Sequence, residues 1–178
     1  MSADALLSVD DVLALLRRGP GFADEEDVDQ LAHALQCAAR LEQEAPLDLE
    51  LQIAGLVHDI ASIAAPDSPA THAPVGGRMV RALFGTRVAQ LVSLHADAKR
   101  YLVTTDPGYR ATLSRRSLET LVAQGGLLSD PAVARMQQLP ELEDALTLRR
   151  ADDGAKVANA SVAGLDHWEP VLRRVAST

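Results

Sequence analysis

Residues Leu51 to Ile63 read LQIAGLVHDIASI, an apolar helical run carrying two polar groups in succession, His58 and Asp59. Neighbours on a helix point about 100° apart, so one of the two can face inward while the other leans across to a second site. A carboxylate beside an imidazole in such a run is costly to bury without a partner. A bound cation would be that partner. A helix-terminal Asp beside a surface His would give the same pair, so the rest of the chain has to decide.

The chain has 178 residues, enough for one domain with a substantial core. A net charge of −8 argues against nucleic acid or an anionic membrane as the main partner. The single cysteine, Cys37, excludes an internal disulfide, suits a reducing cytoplasm and reads as a small buried apolar residue. The start MSADALLSVDDVLALL lacks the basic opening and long apolar core of a signal peptide. No apolar run approaches the ~20 residues of a membrane span. Aromatics are only 3% while Ala and Leu are abundant, which favours close-packed helices over sheets.

Ser8 to Arg18 reads as a short amphipathic helix ended by Gly19-Pro20-Gly21. The acidic stretch Asp24 to Asp27 is expected to open the next helix, which carries His33 and runs to about Gln43 before Pro46. The central helix is expected from about Leu47 to Ile63. A Pro-, Asp- and Ser-containing loop from Ala65 to Pro74 holds His72. Val75 to Phe84 and Thr86 to Ala98 read as helices separated by Gly85, the second carrying His95. A turn follows at Thr104 to Gly108, then a helix from Ser114 to Ala123 stopped by Gly125-Gly126. Asp130-Pro131 and Pro140 each start a helix, the latter running through Asp152 to about Asn159, and Asp166 to Val175 makes the last. With no strand alternation, repeat or linker, the expected fold is all-α, a single domain over residues 1–178 with its core at about 24–159.

Four of the five histidines, His33, His58, His72 and His95, fall on or beside expected helices, and Asp59 and Asp152 add carboxylates. Taken singly, each has an ordinary reading: a hydrogen-bonded core His33, an exposed His72, a His95 complementing a helix end, a solvated Asp152-Asp153 pair. His167, beside Trp168, reads as structural. Nitrogen and oxygen ligands without thiolate suit iron, manganese, cobalt or zinc. Six candidates exceed the needs of one open catalytic metal. They suit two metals sharing a bridging carboxylate, for which Asp59 is best placed.

Four further segments accompany the ligands: HALQCA at His33, HADAKRYL from His95, LSRRSLETLVAQGG from Leu113 and LRRADDGAK from Leu148. In this order the set resembles the HD-domain superfamily in its dinuclear form. Specifically, it is similar to the PhnZ-type mixed-valent di-iron oxygenases, relatives of myo-inositol oxygenase. The resemblance implies an HD-domain helical bundle with His33, His58, Asp59 and Asp152 as the common metal ligands and His72 and His95 completing the second site. Asp152 is the better match of the Asp152-Asp153 pair, because Lys156 follows it at the family's spacing of four. Lys99, Ser117, Thr120 and Arg149 match positions that hold the phosphonate. Cationic donors and hydroxyls also suit such a dianion on chemical grounds.

The implied catalytic set is His58, Asp59 and Lys99. The implied cofactors are two iron ions, Fe(II)/Fe(III), with dioxygen as co-substrate. The implied reaction cleaves the carbon–phosphorus bond of a small 1-hydroxyphosphonate, giving phosphate and a carboxylic acid. The substrate would be a 2-amino-1-hydroxyethylphosphonate-like compound or a shorter one. The sequence departs from the family at Ser62, where His or Lys is common, and at Ala61, where glycine is usual. Glu26 sits at the spacing of a glutamate that closes over the substrate's amino end, but Ala23 stands where tyrosine is usual, next to Phe22. Ser62 and Glu26 complete the expected substrate contacts. A metal-dependent phosphohydrolase of a small phosphate ester or nucleotide is the alternative, distinguished by its indifference to dioxygen. A ligand sensor without turnover is a third reading, disfavoured by the lack of an output domain. The expected protein is cytoplasmic, monomeric or homodimeric.

Overall fold

A computed structural model of the chain describes residues 5–21, 28–66 and 70–176. The elements are α1 (Val9–Leu16), α2 (Gln30–Glu44), α3 (Leu49–Val57), α4 (Ile60–Ala64), α5 (His72–Thr105), α6 (Arg115–Ala123), α7 (Asp130–Met136), α8 (Leu142–Gly154) and α9 (Leu165–Ala176). Among the described residues no β-strand forms, so the architecture is all-α as expected. No helix among them is long and apolar enough to cross a membrane.

Local chemistry starts four of these helices. The side chains of Ser8, Asp29, Asp48 and Ser114 each accept an amide hydrogen bond from the first turn that follows. The core is built from α2 packed on α3 and α5 packed on α8, with α3 also against α5 and α2 against α8. Leu41, Ile53, Leu56, Leu91 and Leu148 are fully buried where these helices meet. Each contributes on the order of 1.5–3 kcal/mol of apolar burial. α9 leans on α1, α3 and α5 through Trp168, Leu172 and Val175, a helical i, i+4, i+7 stripe.

α5 is a helical hairpin. At Gly85 the backbone takes φ 84° and ψ −175°, a conformation that side chains exclude, and the chain reverses. The arms pack closely: a Cβ on Gly77 would lie 1.9 Å from Ser93 Oγ and 2.5 Å from the Ala89 carbonyl oxygen. This closeness carries His72, at the start of one arm, to His95 on the other.

Several boundaries differ from the sequence expectation. The central helix is broken: α3 stops at Val57, and Asp59 leaves helical geometry at φ −102° and ψ 15° before α4 begins. The break lets successive side chains serve different partners. The first arm of α5 starts at His72, not Val75. Pro74 is accommodated because the first turn of a helix needs no internal amide donors. The second arm runs past Ala98 to Thr105, since no breaker intervenes before Asp106-Pro107. α2 starts at Gln30, and the acidic stretch expected to open it lies outside the described residues. α8 ends at Gly154, five residues short of Asn159, and a non-helical segment follows.

Gly77→Ala is expected to push the two arms of α5 apart and to destabilise the protein by about 1–3 kcal/mol. Chemical denaturation checks this. A midpoint equal to that of the parent would show that the hairpin tolerates the added methyl group.

Candidate metal centre

The core helices each deliver one or more ligands. His33 comes from α2, His58 caps α3, Asp59 occupies the α3–α4 break, His72 and His95 come from the arms of α5, and Asp152 comes from α8. They form two groups, His33–His58–Asp152 and Asp59–His72–His95, within each of which the ligand atoms lie within 4.8 Å of one another. In the first, His33 Nε2 is 3.2 Å from His58 Nε2 and 3.2 Å from Asp152 Oδ1. In the second, Asp59 Oδ1 is 3.2 Å from His72 Nε2 and 3.5 Å from His95 Nε2. The other oxygen of Asp59, Oδ2, lies 3.7 Å from His58 Nε2 in the first group. Asp59 therefore faces both groups with different oxygens, the arrangement of a bridging carboxylate.

The ring orientations are fixed from behind. His33 Nδ1 donates to the Ala155 carbonyl at 3.0 Å, His58 Nδ1 to Gly55 at 2.7 Å and His95 Nδ1 to Val92 at 2.7 Å. Each bond leaves the Nε2 lone pair pointing into the centre, as metal-binding imidazoles require. Burial pushes His58 down to about 4 despite the charges of Asp59 and Asp152, so this imidazole is neutral. Burial raises the Asp59 carboxyl, but the neighbouring His58, His72 and His95 more than offset it and hold the group well below its ordinary value. Burial likewise opposes ionisation of Asp152, and the Arg149 charge overcomes it.

The donor set fits a cation on its own chemistry. His33 Nε2 and His58 Nε2 face each other at 3.2 Å beside the carboxylates; burial opposes a proton on His33, but Asp152 and then Asp59 outweigh it and raise its affinity for positive charge. Such a gathering of acceptors repels itself unless positive charge lies between them. The four imidazoles and two carboxylates would hold a pair of N/O-liking metals.

A second cluster adjoins the first. Lys99 lies one turn beyond His95 and is 2% exposed. Its Nζ donates to Thr120 Oγ1 at 2.8 Å and to the Ser117 carbonyl at 3.3 Å. Burial, followed by the charge of Arg149, lowers Lys99 to about 8. Lys156 Nζ donates to Ser117 Oγ at 3.0 Å and Ser114 Oγ at 3.2 Å. Lys156 and Ser114 were not among the expected site residues. Their signal was present: Lys156 follows Asp152 by four residues, and Ser114 caps the helix that carries Ser117.

Arg149, expected at the phosphonate, is engaged by two carboxylates of its own helix. Its Nη1 lies 2.6 Å from Asp152 Oδ2, and its Nη2 pairs with Asp153, whose other oxygen accepts from the Tyr109 hydroxyl. Among the described residues the buried Nε has no hydrogen-bond partner. Arg149 thus orients and neutralises a metal-facing carboxylate. Ser62 is half-buried on α4, and its amide donates to the Asp59 carbonyl at 2.8 Å. Among the described residues, no hydrogen bond joins Ser62 to the lysine cluster. Glu26, with Phe22 and Ala23, lies outside the described residues.

Residues 30–153 match the HD domain family. The chain belongs to the HD-domain family. It is 36% identical over 159 residues to a hydroxymethylphosphonate dioxygenase of Gimesia maris, covering 84% of this chain and 78% of that protein. It is 28% identical over 167 residues to a glycine-betaine-forming 1-hydroxy-2-(trimethylamino)ethylphosphonate dioxygenase of Leisingera caerulea, covering 89% of this chain and 85% of that one. The resemblance to HD-domain oxygenases read from the four segments therefore extends over most of the chain.

Asp59→Ala is expected to remove both metals, because both groups lose a ligand together. Elemental analysis of protein produced in iron-rich medium checks this: the parent should retain about two ions per chain and the variant close to none. A variant that keeps one ion at full occupancy would show that Asp59 does not bridge.

Proposed function

We propose that the protein is a metal-dependent oxygenase that cleaves the carbon–phosphorus bond of a small 1-hydroxyphosphonate, with a mixed-valent di-iron centre and dioxygen. The balance is R–CH(OH)–PO3H2 + O2 giving R–COOH + H3PO4. One dioxygen oxygen ends in the carboxylic acid and the other in phosphate. The relative of known length and highest identity named above acts, by its name, on the shortest such substrate, which favours hydroxymethylphosphonate here.

The observation that carries this reading is the state of the two lysines. Lys99 and Lys156 lie beside the metal ligands, and among the described residues neither forms an ion pair; hydroxyls and a carbonyl are their partners. The buried Lys99 ammonium without a counter-ion is expensive, the half-buried Lys156 less so, and a bound dianion would offset that cost. Phosphonate oxygens fit that place. Ser114, Ser117 and Thr120 can turn their hydroxyl protons toward the same oxygens.

When bound, the metals supply the redox chemistry with dioxygen and polarise the substrate hydroxyl. The chain supplies the rest. Asp59 and Asp152 spread negative charge across the centre, and Arg149 keeps Asp152 in one orientation. The carbonyls of Ala155, Gly55 and Val92 keep His33, His58 and His95 in the tautomer that binds metal. Lys99 and Lys156 hold the phosphonate so that C1 and its hydroxyl face the metal ligands. As the carbon–phosphorus bond breaks, the same lysines neutralise the departing phosphate.

The direct test supplies ferrous protein, dioxygen and hydroxymethylphosphonate and measures phosphate and formate. Equal amounts of both are expected, and neither without oxygen. Anaerobic phosphate release from phosphate esters, with no product from any hydroxyphosphonate, would assign a hydrolase instead. Lys99→Ala is expected to keep its metal but raise KM about tenfold or more. Unchanged turnover and affinity would sink the phosphonate assignment of the lysines.

The pH dependence follows from the same residue. Lys99 is cationic below about 8 and neutral above it, so the unliganded protein loses charge for the phosphonate as pH rises through that value. The ratio kcat/KM reports the free enzyme and should descend on its alkaline side near pH 8. In Lys99→Arg, whose cation persists, that limb should move to higher pH. A limb in the same place in both proteins would remove Lys99 as its cause.

A further inference from the structure

The segment leaving α8, Ala155-Lys156-Val157, connects the two halves of the site. The Ala155 carbonyl orients His33, and Lys156 enters the hydroxyl cluster. No regular helix supports these residues, because α8 ends at Gly154. The side chain of Gln36 supports them instead. Its Nε2 donates to the Val157 carbonyl at 3.1 Å, and its Oε1 accepts from the Val157 amide at 3.0 Å. Gln36 is 5% exposed and lies on α2 one turn beyond His33.

A primary amide offers a donor and an acceptor side by side, so it can satisfy both backbone groups of one residue as a neighbouring strand would. That arrangement fixes Val157, while the bond from His33 fixes Ala155 on the other side of Lys156. A lysine stem is long and flexible, so its ammonium is only as well placed as the backbone it starts from.

We propose that Gln36 is a positioning residue: it holds the Ala155–Val157 segment so that Lys156 meets the phosphonate, although Gln36 touches neither substrate nor metal. The inference rests on the phosphonate reading of the lysine cluster. Removing the amide leaves the Val157 N–H without a partner among the described residues and its C=O with only the 3.3 Å bond from the Ala160 amide, and the segment then relaxes toward water and takes Lys156 with it.

The test uses full-length, metal-loaded protein with metal content measured for every variant. Methylphosphonate binding is measured by calorimetry for the parent, Gln36→Leu, Gln36→Glu, Lys156→Met and the Gln36→Leu/Lys156→Met pair. Lys156→Met should weaken binding about tenfold and Gln36→Leu by a comparable factor. The double variant should bind no worse than Lys156→Met, because Gln36 acts through that lysine. Gln36→Glu keeps the acceptor for the Val157 amide and should fall between parent and Gln36→Leu. In turnover, Gln36→Leu should raise KM more than it lowers kcat. Parent-like affinity in Gln36→Leu, or losses that multiply in the double variant, would overturn the proposal while leaving the cluster's role intact. Parent-like affinity in Lys156→Met would remove the cluster's role and this inference with it. If Gln36→Leu does not fold, the same cycle is run with Gln36→Glu, and parent-like affinity there is equally fatal.

Discussion

The Asp59 carboxylate sits between imidazoles from the end of α3 and the two arms of α5, and the local architecture is arranged around it. One oxygen faces His58, and the other faces His72 and His95. His58 turns toward His33 while Asp59, out of helical geometry at φ −102° and ψ 15°, reaches both groups. The break between α3 and α4 accommodates both orientations. The fold-back of α5 then brings two imidazoles to the remaining oxygen. Glycine is required at Gly85 by its dihedral angles and at Gly77 by the closeness of the arms.

Comparison of the buried and half-buried cations shows why one cluster reads as a binding site and others do not. Arg87 reaches Asp48, Glu50 and Asp144 and so joins α3, α5 and α8 as an internally neutralised tie. Arg149 is similarly occupied by Asp152 and Asp153. Lys99 and Lys156 have hydroxyl and carbonyl partners, which solvate an ammonium without cancelling its charge. Only such uncancelled cations leave electrostatic work for a ligand to do. The chain's overall charge of −8 does not weaken the attraction much, because buried groups respond mainly to their neighbours.

The metal-facing residues were legible in the sequence because their chemistry is unusual for their surroundings. Four histidines and two acids recur among apolar helices, and the expected helices already placed them on different elements. Helix stops at Gly85 and Gly125-Gly126 were legible from local backbone chemistry, and Gly125 and Gly126 do adopt φ 99° and 66°. The break at Asp59 was not, since nothing in LVHDIASI forbids a helix; tertiary demand on the carboxylate decides it. The charge of Arg149 was legible, but a sequence does not show the carboxylates folded against it. Lys156 was noticed only as a spacing mark, and Gln36 not at all. Both draw their meaning from the path of the chain after α8, which no local pattern specifies.

The placement of metal ligands and lysines on shared elements bears on what the site can distinguish. His95 and Lys99 are successive turns of one arm of α5, while Arg149 and Asp152 are successive turns of α8. Helical geometry therefore fixes the offset between the metal-facing atoms and the cations, leaving little play for a ligand of the wrong length. A phosphate ester places an oxygen between carbon and phosphorus, whereas a 1-hydroxyphosphonate has its hydroxyl carbon bonded directly to phosphorus. A phosphonate seated on the lysines therefore brings its hydroxyl one bond closer than the corresponding ester would. Rigid helices make that difference matter, and the non-helical segment carrying Lys156 is where the spacing could be adjusted. Its two supports, from His33 and Gln36, oppose that adjustment.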